Sequence, residues 1–443
     1  MLMLEASIMK KPSMKTTVLE EELTRLFPSE WLRETAKETG FVKRFREIDP
    51  VVFFWALVLS FGVGLSRNLA NVRRLYGSMS GADVVPSSFY DRFKPELIEF
   101  LKRCISRATA MEASESVPEL SEKLQGFVEL LCIDSTLVRL HDSLAKDWPG
   151  PRTNHSPAAL KLNMVISVVG AGPREVQMVE GKKGESPLLK IGPWVESRIL
   201  LFDLGYFKFK HFQDIDRHNG FFVSRLKDNA NPLILHTLKQ HRGNAIDVGY
   251  QKLRDIEPRL KRDVLDVEVQ ITTSTAKSEA VLRKNSQVMR VVGIWNEELK
   301  KYHFYITNLS VETLSAEEVA QLYRARWAIE LTFKELKSNY QLDTIDSANK
   351  SVVQALICTA ILTMIVSRRL LNLLKRMNPQ KAKQMTNLRW ANVFTVGAPQ
   401  LFEAVMIYMG LNPRGYNPLF DMFIAESIDP NVSRKRMLDP WVK

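Results

Sequence analysis

Two apolar runs in this sequence each carry one aspartate. Residues 126–140, GFVELLCIDSTLVRL, are dense in β-formers and contain Asp134; residues 197–207, SRILLFDLGYF, contain Asp203. A carboxylate set into a run that must pack against other apolar groups needs a partner, because an unpaired buried charge is expensive. A salt bridge would serve, as would a hydrogen bond to the neighbouring Ser135 or Thr136, or a turn at the strand end. Two adjacent strands that both present an aspartate are harder to reconcile. Like charges a few ångströms apart repel unless a metal ion or a shared proton lies between them.

The surrounding periodicity supports an α/β domain. Residues 160–170 and 173–181 read as two more strands joined at Gly172-Pro173, 197–207 as a fourth and 220–227 as a fifth, with a helix over about 208–218 between the last two. Residues 228 to about 310 change character: 264–272, 287–295 and 302–309 read as an antiparallel β block, the last two joined by the polar turn NEELK. Helix resumes at Ser315, where Glu318 completes a capping box, and is expected to run through Lys337.

The first ~115 residues read as helical. Asp49-Pro50 caps VVFFWALVLSF, Ser66 caps RNLANVRRLY with Gly77 ending it, and the segment after Pro86 breaks at Pro95. Arg67, Arg73, Arg74, Arg92 and Lys94 give this region a basic side. That fits a helix-turn-helix-like module, and equally a plain bundle with a wet basic face. Residues 111–123 read as a linker; 350–443 hold two more helical stretches and a basic, Pro-containing tail.

A chain of 443 residues exceeds one comfortable core and suggests two to four domains. Its net charge of +12 favours a polyanion, either nucleic acid or an anionic membrane surface. Cys104, Cys132 and Cys358 lie far apart with no metal-ligand spacing, as expected of reduced thiols in a cytosolic protein. No secretory signal is visible at the start. The most apolar stretch, 352–366, is shorter than the roughly 20 residues a spanning helix needs, so a buried helix is expected. No P-loop, dinucleotide fingerprint or Ser-His-Asp constellation supports a metabolic enzyme.

A third carboxylate stands in YRARWAIELTFKELK, residues 323–337. On a continuous helix at about 100° per residue, Leu322, Ile329, Phe333, Leu336 and Tyr340 form one buried stripe. Tyr323, Arg326, Glu330 and Lys337 share a neighbouring stripe, so that Glu330 is presented among cations. Arg326 and Glu330 would also form an i,i+4 pair, worth only a few tenths of a kcal/mol on a surface. With Asp134 and Asp203, Glu330 would complete a site for two divalent ions about 3.5–4 Å apart, suited to in-line phosphoryl displacement. Oxygen-only ligands point to Mg²⁺ or Mn²⁺.

Tyr323, Arg326, Glu330 and Lys337 resemble the Y-(2)-R-(3)-E-(6)-K signature of bacterial insertion-sequence DDE transposases, in the branch with a β-strand insertion in the catalytic domain, the insertion sequence four family. DLGYF is similar to that family's second-aspartate motif and IDST to its first, in the right order, over roughly 125–345. The resemblance implies an α/β ribonuclease-H-like catalytic core with an inserted antiparallel β block, flanked by N-terminal and C-terminal helical regions. On that basis 1–115 is a DNA-end-binding region, 116–227 and 311–350 the core, 228–310 the insertion and 351–443 a helical, dimerising region. The insertion accounts for most of the 126 residues between Asp203 and Glu330.

The resemblance further implies that Asp134, Asp203 and Glu330 are catalytic metal ligands, while Tyr323, Arg326 and Lys337 grip DNA. It implies two Mg²⁺ ions, double-stranded DNA as element end and target, a homodimeric synaptic complex, no membrane partner, and a cytoplasmic, nucleoid-associated location. Trp295, Tyr302 and His303 lie where some members stack an aromatic on a flipped base; packing on a strand is the alternative for each. Two rivals remain open: a catalytically inactive DNA-binding derivative acting as a repressor, and a ribonuclease-H-like nuclease on branched nucleic acid.

Overall fold

The structure, a computed structural model, describes residues 17–44, 48–64, 69–80, 84–114, 120–151, 156–170, 172–239, 248–272 and 286–411. Ser66, Arg67 and the basic tail fall outside them. The described residues form two compact units, one of 17–114 with 334–411, the other of 120–333.

The helical unit begins with α1 (Val18–Leu26), α2 (Ser29–Glu38) and α3 (Pro50–Ala56), followed by α4 (Leu69–Ser80), α5 (Pro86–Tyr90) and α6 (Pro95–Ser114). Asp49 caps α3 as expected, its carboxylate accepting from the Val51 N–H with Pro50 at the first helical position. A π turn, Leu57–Phe61, prolongs α3, and all twelve residues from Pro50 to Phe61 are buried. Two expectations need correcting. Gly77 does not end its helix, because α4 continues to Ser80, and the segment read as a linker is helical through Ser114.

The mixed unit is one continuous sheet. Its strands are β1 (Glu129–Arg139), β2 (Ala159–Ser167), β3 (Pro173–Glu180), β4 (Arg198–Phe202), β5 (Phe221–Arg225), β6 (Leu233–Thr237), β7 (Val264–Thr272), β8 (Ser286–Asn296) and β9 (Lys301–Thr307). Their order is β3-β2-β1-β4-β5-β9-β8-β7-β6. The first five make the ribonuclease-H-like arrangement, an antiparallel β3-β2-β1 followed by β4 and β5 parallel to β1. β1 is buried on both faces over Glu129–Ile133, which is why its sequence is a near-continuous apolar run. Leu131, Ile133, Leu200, Phe202 and Phe222 pack beneath α7 (Phe209–Arg217), whose Phe212 ring stacks on Phe222 at 4.4 Å.

The inserted β block continues the same sheet: β9 pairs antiparallel with β5, Arg225 opposite Tyr305. A buried pair fixes its two middle strands. Arg290 of β8 donates to both Asp266 oxygens of β7 at 2.8 and 2.7 Å, and to the carbonyls of Leu309, Ser310 and Leu314. It thus ties the insertion to the segment that leads into α8 (Ala316–Arg324), which starts in the expected Ser315/Glu318 capping box.

The helix expected to run unbroken through Lys337 is two helices. After α8 the chain passes through Ala325 and Arg326 and re-forms as α9 (Trp327–Ser338). Tight i→i−3 bonds, Ala325 N to Leu322 O and Arg326 N to Tyr323 O, mark the junction. The residues of α9 through Phe333 belong to the mixed unit and those from Lys334 to the helical one.

In the helical unit, α10 (Lys350–Met377) is far longer than the apolar run suggested, starting where Asn349 caps it and ending beyond Arg376. It is long and apolar enough to cross a membrane, but twenty of its residues are buried within the protein. It lies close to the π turn: a Cβ on Gly62 would fall 1.8 Å from Thr363 Oγ1, and that hydroxyl donates to Val58 O at 2.9 Å. Its buried Arg368 and Arg369 pair with Glu335 and Glu22. α11 (Asn387–Tyr408) packs Trp390 against Ser367, the indole N–H donating to the serine.

Candidate active site

The parallel pairing of β1 and β4 sets the two aspartates side by side. Ile133 is the register partner of Phe202, so Asp134 and Asp203 occupy the next step, one still within its strand and the other just beyond. Alternation along β1 sends Leu131, Ile133 and Ser135 to the core face and Cys132 and Asp134 to the other. The Cys132 thiol reaches the Ala325 carbonyl at 3.7 Å, which anchors the junction between α8 and α9 over Asp134.

That junction delivers Arg326. Its Nη2 donates to Glu330 Oε1 at 2.6 Å, and its Nη1 lies 3.4 Å from Asp134 Oδ2. Burial works against the Arg326 charge, but the acidic groups around it, Glu330 by hydrogen bond and Asp203 at longer range, leave its pKa above the ordinary value. Asp134 and Glu330 therefore share one cation, and strand register puts Asp203 beside Asp134. The i,i+4 pair anticipated as an alternative does form, but with a second carboxylate from β1 on the same guanidinium.

Burial raises the Asp134 carboxyl to about 6; the Ser135 N–H and Arg326 oppose the shift, while Glu185 and Asp203 add to it by repulsion. The Ser135 N–H donates to Asp134 Oδ1 at 2.7 Å, so the local hydrogen bond considered for this aspartate is also present.

Tyr323 does not stand on an open face. Its ring is buried 5.3 Å from Tyr305, with the Arg326 guanidinium carbon 5.8 Å from its centroid. Its hydroxyl has no hydrogen-bond partner among the described residues, nor has Arg326 Nε. Burial pushes the Tyr323 phenol well up, keeping it a neutral donor. Lys337 belongs to the helical unit, where its ammonium lies 3.7 Å from Asp343.

Of the insertion's aromatics, Trp295 and Tyr302 pack edge to face at 5.1 Å, and Tyr302 belongs to the core. His303 lies on the opposite side of β9, its Nε2 buried and unpartnered among the described residues. Sequence reasoning missed Glu185, whose carboxylate accepts from the Ser135 hydroxyl at 2.7 Å. It sits in an irregular loop, GKKGESP, where neither periodicity nor a neighbouring apolar run marks it.

Among the described residues no group of three His, Cys, Asp or Glu side chains stands ready to hold a metal ion. The Arg326 guanidinium is instead the charge that compensates the carboxylates. In donor chemistry the set fits a hard divalent cation: Asp134, Asp203 and Glu330 offer only oxygen, and one monovalent guanidinium pairs with two of them.

Residues 126–366 match the protein family described as "Transposase DDE domain". The transposase for insertion sequence element IS231C of Bacillus thuringiensis subsp. berliner is 25% identical over 367 residues, 73% of each chain. The transposase for IS1151 of Clostridium perfringens is 22% identical over 361 residues, covering 75% of this chain and 76% of that one. A shorter stretch of 82 residues, 18% of this chain and 22% of the relative, is 37% identical to the putative transposase InsL for IS186A of Escherichia coli (strain K12).

Proposed function

The chain belongs to the DDE transposase family, and from that membership we propose that it binds the terminal inverted repeats of an insertion sequence, cuts there, and joins the freed 3′-hydroxyls to target DNA. The observation that carries this reading is that Asp134, set beside Asp203 by the parallel β1–β4 register, and Glu330, from a helix, pair with the single guanidinium of Arg326.

In this reading the three carboxylates hold divalent ions, Mg²⁺ or Mn²⁺, two being expected. When bound, such ions stabilise charge on the attacking and leaving oxygens of a phosphoryl transfer. The chain's own residues do the positioning, which is most of what this chemistry asks of a protein. Arg326 leaves the carboxylates for a phosphate of the element end, to which its planar fork can donate twice. Tyr323, whose buried ring packs beside the Arg326 guanidinium, supports the same grip, and Lys337 adds a point charge. Residues 1–115 supply sequence-specific end binding, the basic surface supplies salt-dependent affinity, and residues 351–443 the dimer contact of a synaptic complex.

The test uses a plasmid carrying a marker between the element's two ends. With Mg²⁺, purified protein should release the marker fragment and insert it into a second plasmid. Binding of the ends with no cleavage in Mg²⁺ or Mn²⁺ would favour a repressor. Cleavage of branched DNA irrespective of the ends would favour a structure-selective nuclease.

A further inference from the structure

Glu185 touches the chain next to both aspartates, and neither the family signature nor the reading above gives it a role. Its Oε1 accepts from the hydroxyl of Ser135, the residue after Asp134. Its Oε2 lies over Gly205, two residues after Asp203, where a Cβ would fall 1.7 Å away. The carboxylate can occupy this place only because residue 205 has no side chain.

Several contacts hold it there. The Lys161 ammonium lies 3.8 Å from Oε1 and also donates to the Lys183 carbonyl at 2.6 Å, bracing the loop that carries Glu185. Ser135 is the register partner of Asn163 on β2, whose side-chain oxygen accepts from the buried Tyr206 hydroxyl. Tyr206 ends the short turn begun at Asp203. The strand bearing one aspartate is thus linked to the turn bearing the other through β2, by the strand ladder and the Tyr206–Asn163 hydrogen bond.

We propose that Glu185 is a positioning residue of the catalytic centre, setting the separation of Asp134 and Asp203 through Ser135 and Gly205. The inference rests on the reading of Asp134, Asp203 and Glu330 as the ion-holding set. A glutamate that merely anchored its loop would not change ion affinity in the folded protein. One that spaces the aspartates does, as partners behind metal ligands commonly do by ten- to a hundredfold.

The experiment measures Mn²⁺ binding to the full-length protein by electron paramagnetic resonance of the free ion, and the Mg²⁺ concentration giving half-maximal cleavage of a terminal duplex. Glu185→Ala should weaken Mn²⁺ binding about tenfold or more and raise the Mg²⁺ requirement in proportion, with duplex affinity unchanged. Glu185→Gln, which keeps an oxygen to accept from Ser135, should recover most of the loss. Unchanged Mn²⁺ affinity in folded Glu185→Ala, or a Gln variant as impaired as Ala, overturns the proposal. If Glu185→Ala does not fold, Ser135→Ala decides: it should weaken Mn²⁺ binding, and an unchanged affinity overturns the proposal. Asp134→Asn separates the two failures. Loss of Mn²⁺ binding there, with none in the Glu185 and Ser135 variants, sinks this inference alone; normal binding there sinks the carboxylate reading beneath it.

Discussion

Arg326 and Asp134 are 192 residues apart in sequence, yet the guanidinium Nη1 lies 3.4 Å from the carboxylate Oδ2. The same side chain holds Glu330, so in this structure one cation stands among the carboxylates expected to bind divalent ions.

An arginine so placed competes with those ions. Arg326→Ala should therefore strengthen Mn²⁺ binding to the DNA-free protein while weakening its affinity for the terminal duplex. Titrations of Mn²⁺ and of labelled duplex measure the two effects separately. Weaker Mn²⁺ binding in the variant would show that the guanidinium supports the ion site rather than occupying it.

Lys337 is expected to act on DNA as a single charge. Lys337→Ala should lower end-duplex affinity and reduce the slope of log K against log salt by about one. Fluorescence anisotropy at several salt concentrations gives that slope directly; a slope equal to that of the unsubstituted protein removes Lys337 from the phosphate contacts.

The Arg290–Asp266 pair, each side chain only 4% exposed, holds β7 and β8 to the approach of α8. Removing one partner leaves a buried charge uncompensated. Asp266→Ala should cost about 3–5 kcal/mol in urea unfolding of the mixed unit, and Asp266→Leu combined with Arg290→Met clearly less. Equal losses in the single and double variants would mean that packing rather than charge dominates there.

Glu20 gives a pH signature in the helical unit. Burial raises its carboxyl from 4.5 to about 7, and its Oε2 has no partner among the described residues. The folded state therefore binds more protons than the unfolded one between these values, so this group's contribution to stability falls as pH rises from 4.5 to 7 and stays lost above. Glu20→Gln should be more stable than the parent at pH 8 by roughly 1–3 kcal/mol, with the difference vanishing below pH 4.5. Denaturant midpoints at both pH values check this; a constant difference would contradict it.

What was legible in the sequence was what periodicity and local chemistry encode. The β1 and β4 runs, the Asp49 and Ser315 caps and the break at Pro95 all stand where the residues suggested. The stripe of Leu322, Ile329, Phe333, Leu336 and Tyr340 is buried, although the helix carrying it is broken at Ala325–Arg326. That break was invisible because no Gly or Pro marks it; the thiol of Cys132, from a distant strand, contacts the turn. The continuity of the sheet through β5 and β9 and the Arg290–Asp266 pair depend on residues far apart in sequence, and Glu185 on its proximity to Ser135. Tyr323 was assigned by the wheel to an open face, whereas its packing on Tyr305 depends on the β9 register.

The central claim is that Asp134, Asp203 and Glu330 act as one ion-holding set on DNA. The direct measurement is Mg²⁺-dependent cleavage of a terminal duplex by Asp134→Asn, Asp203→Asn and Glu330→Gln, with binding of the same duplex followed in parallel. Each substitution should abolish cleavage, by at least a thousandfold, while leaving duplex binding within a few-fold of the parent. Near-normal cleavage by any one of the three would contradict the account.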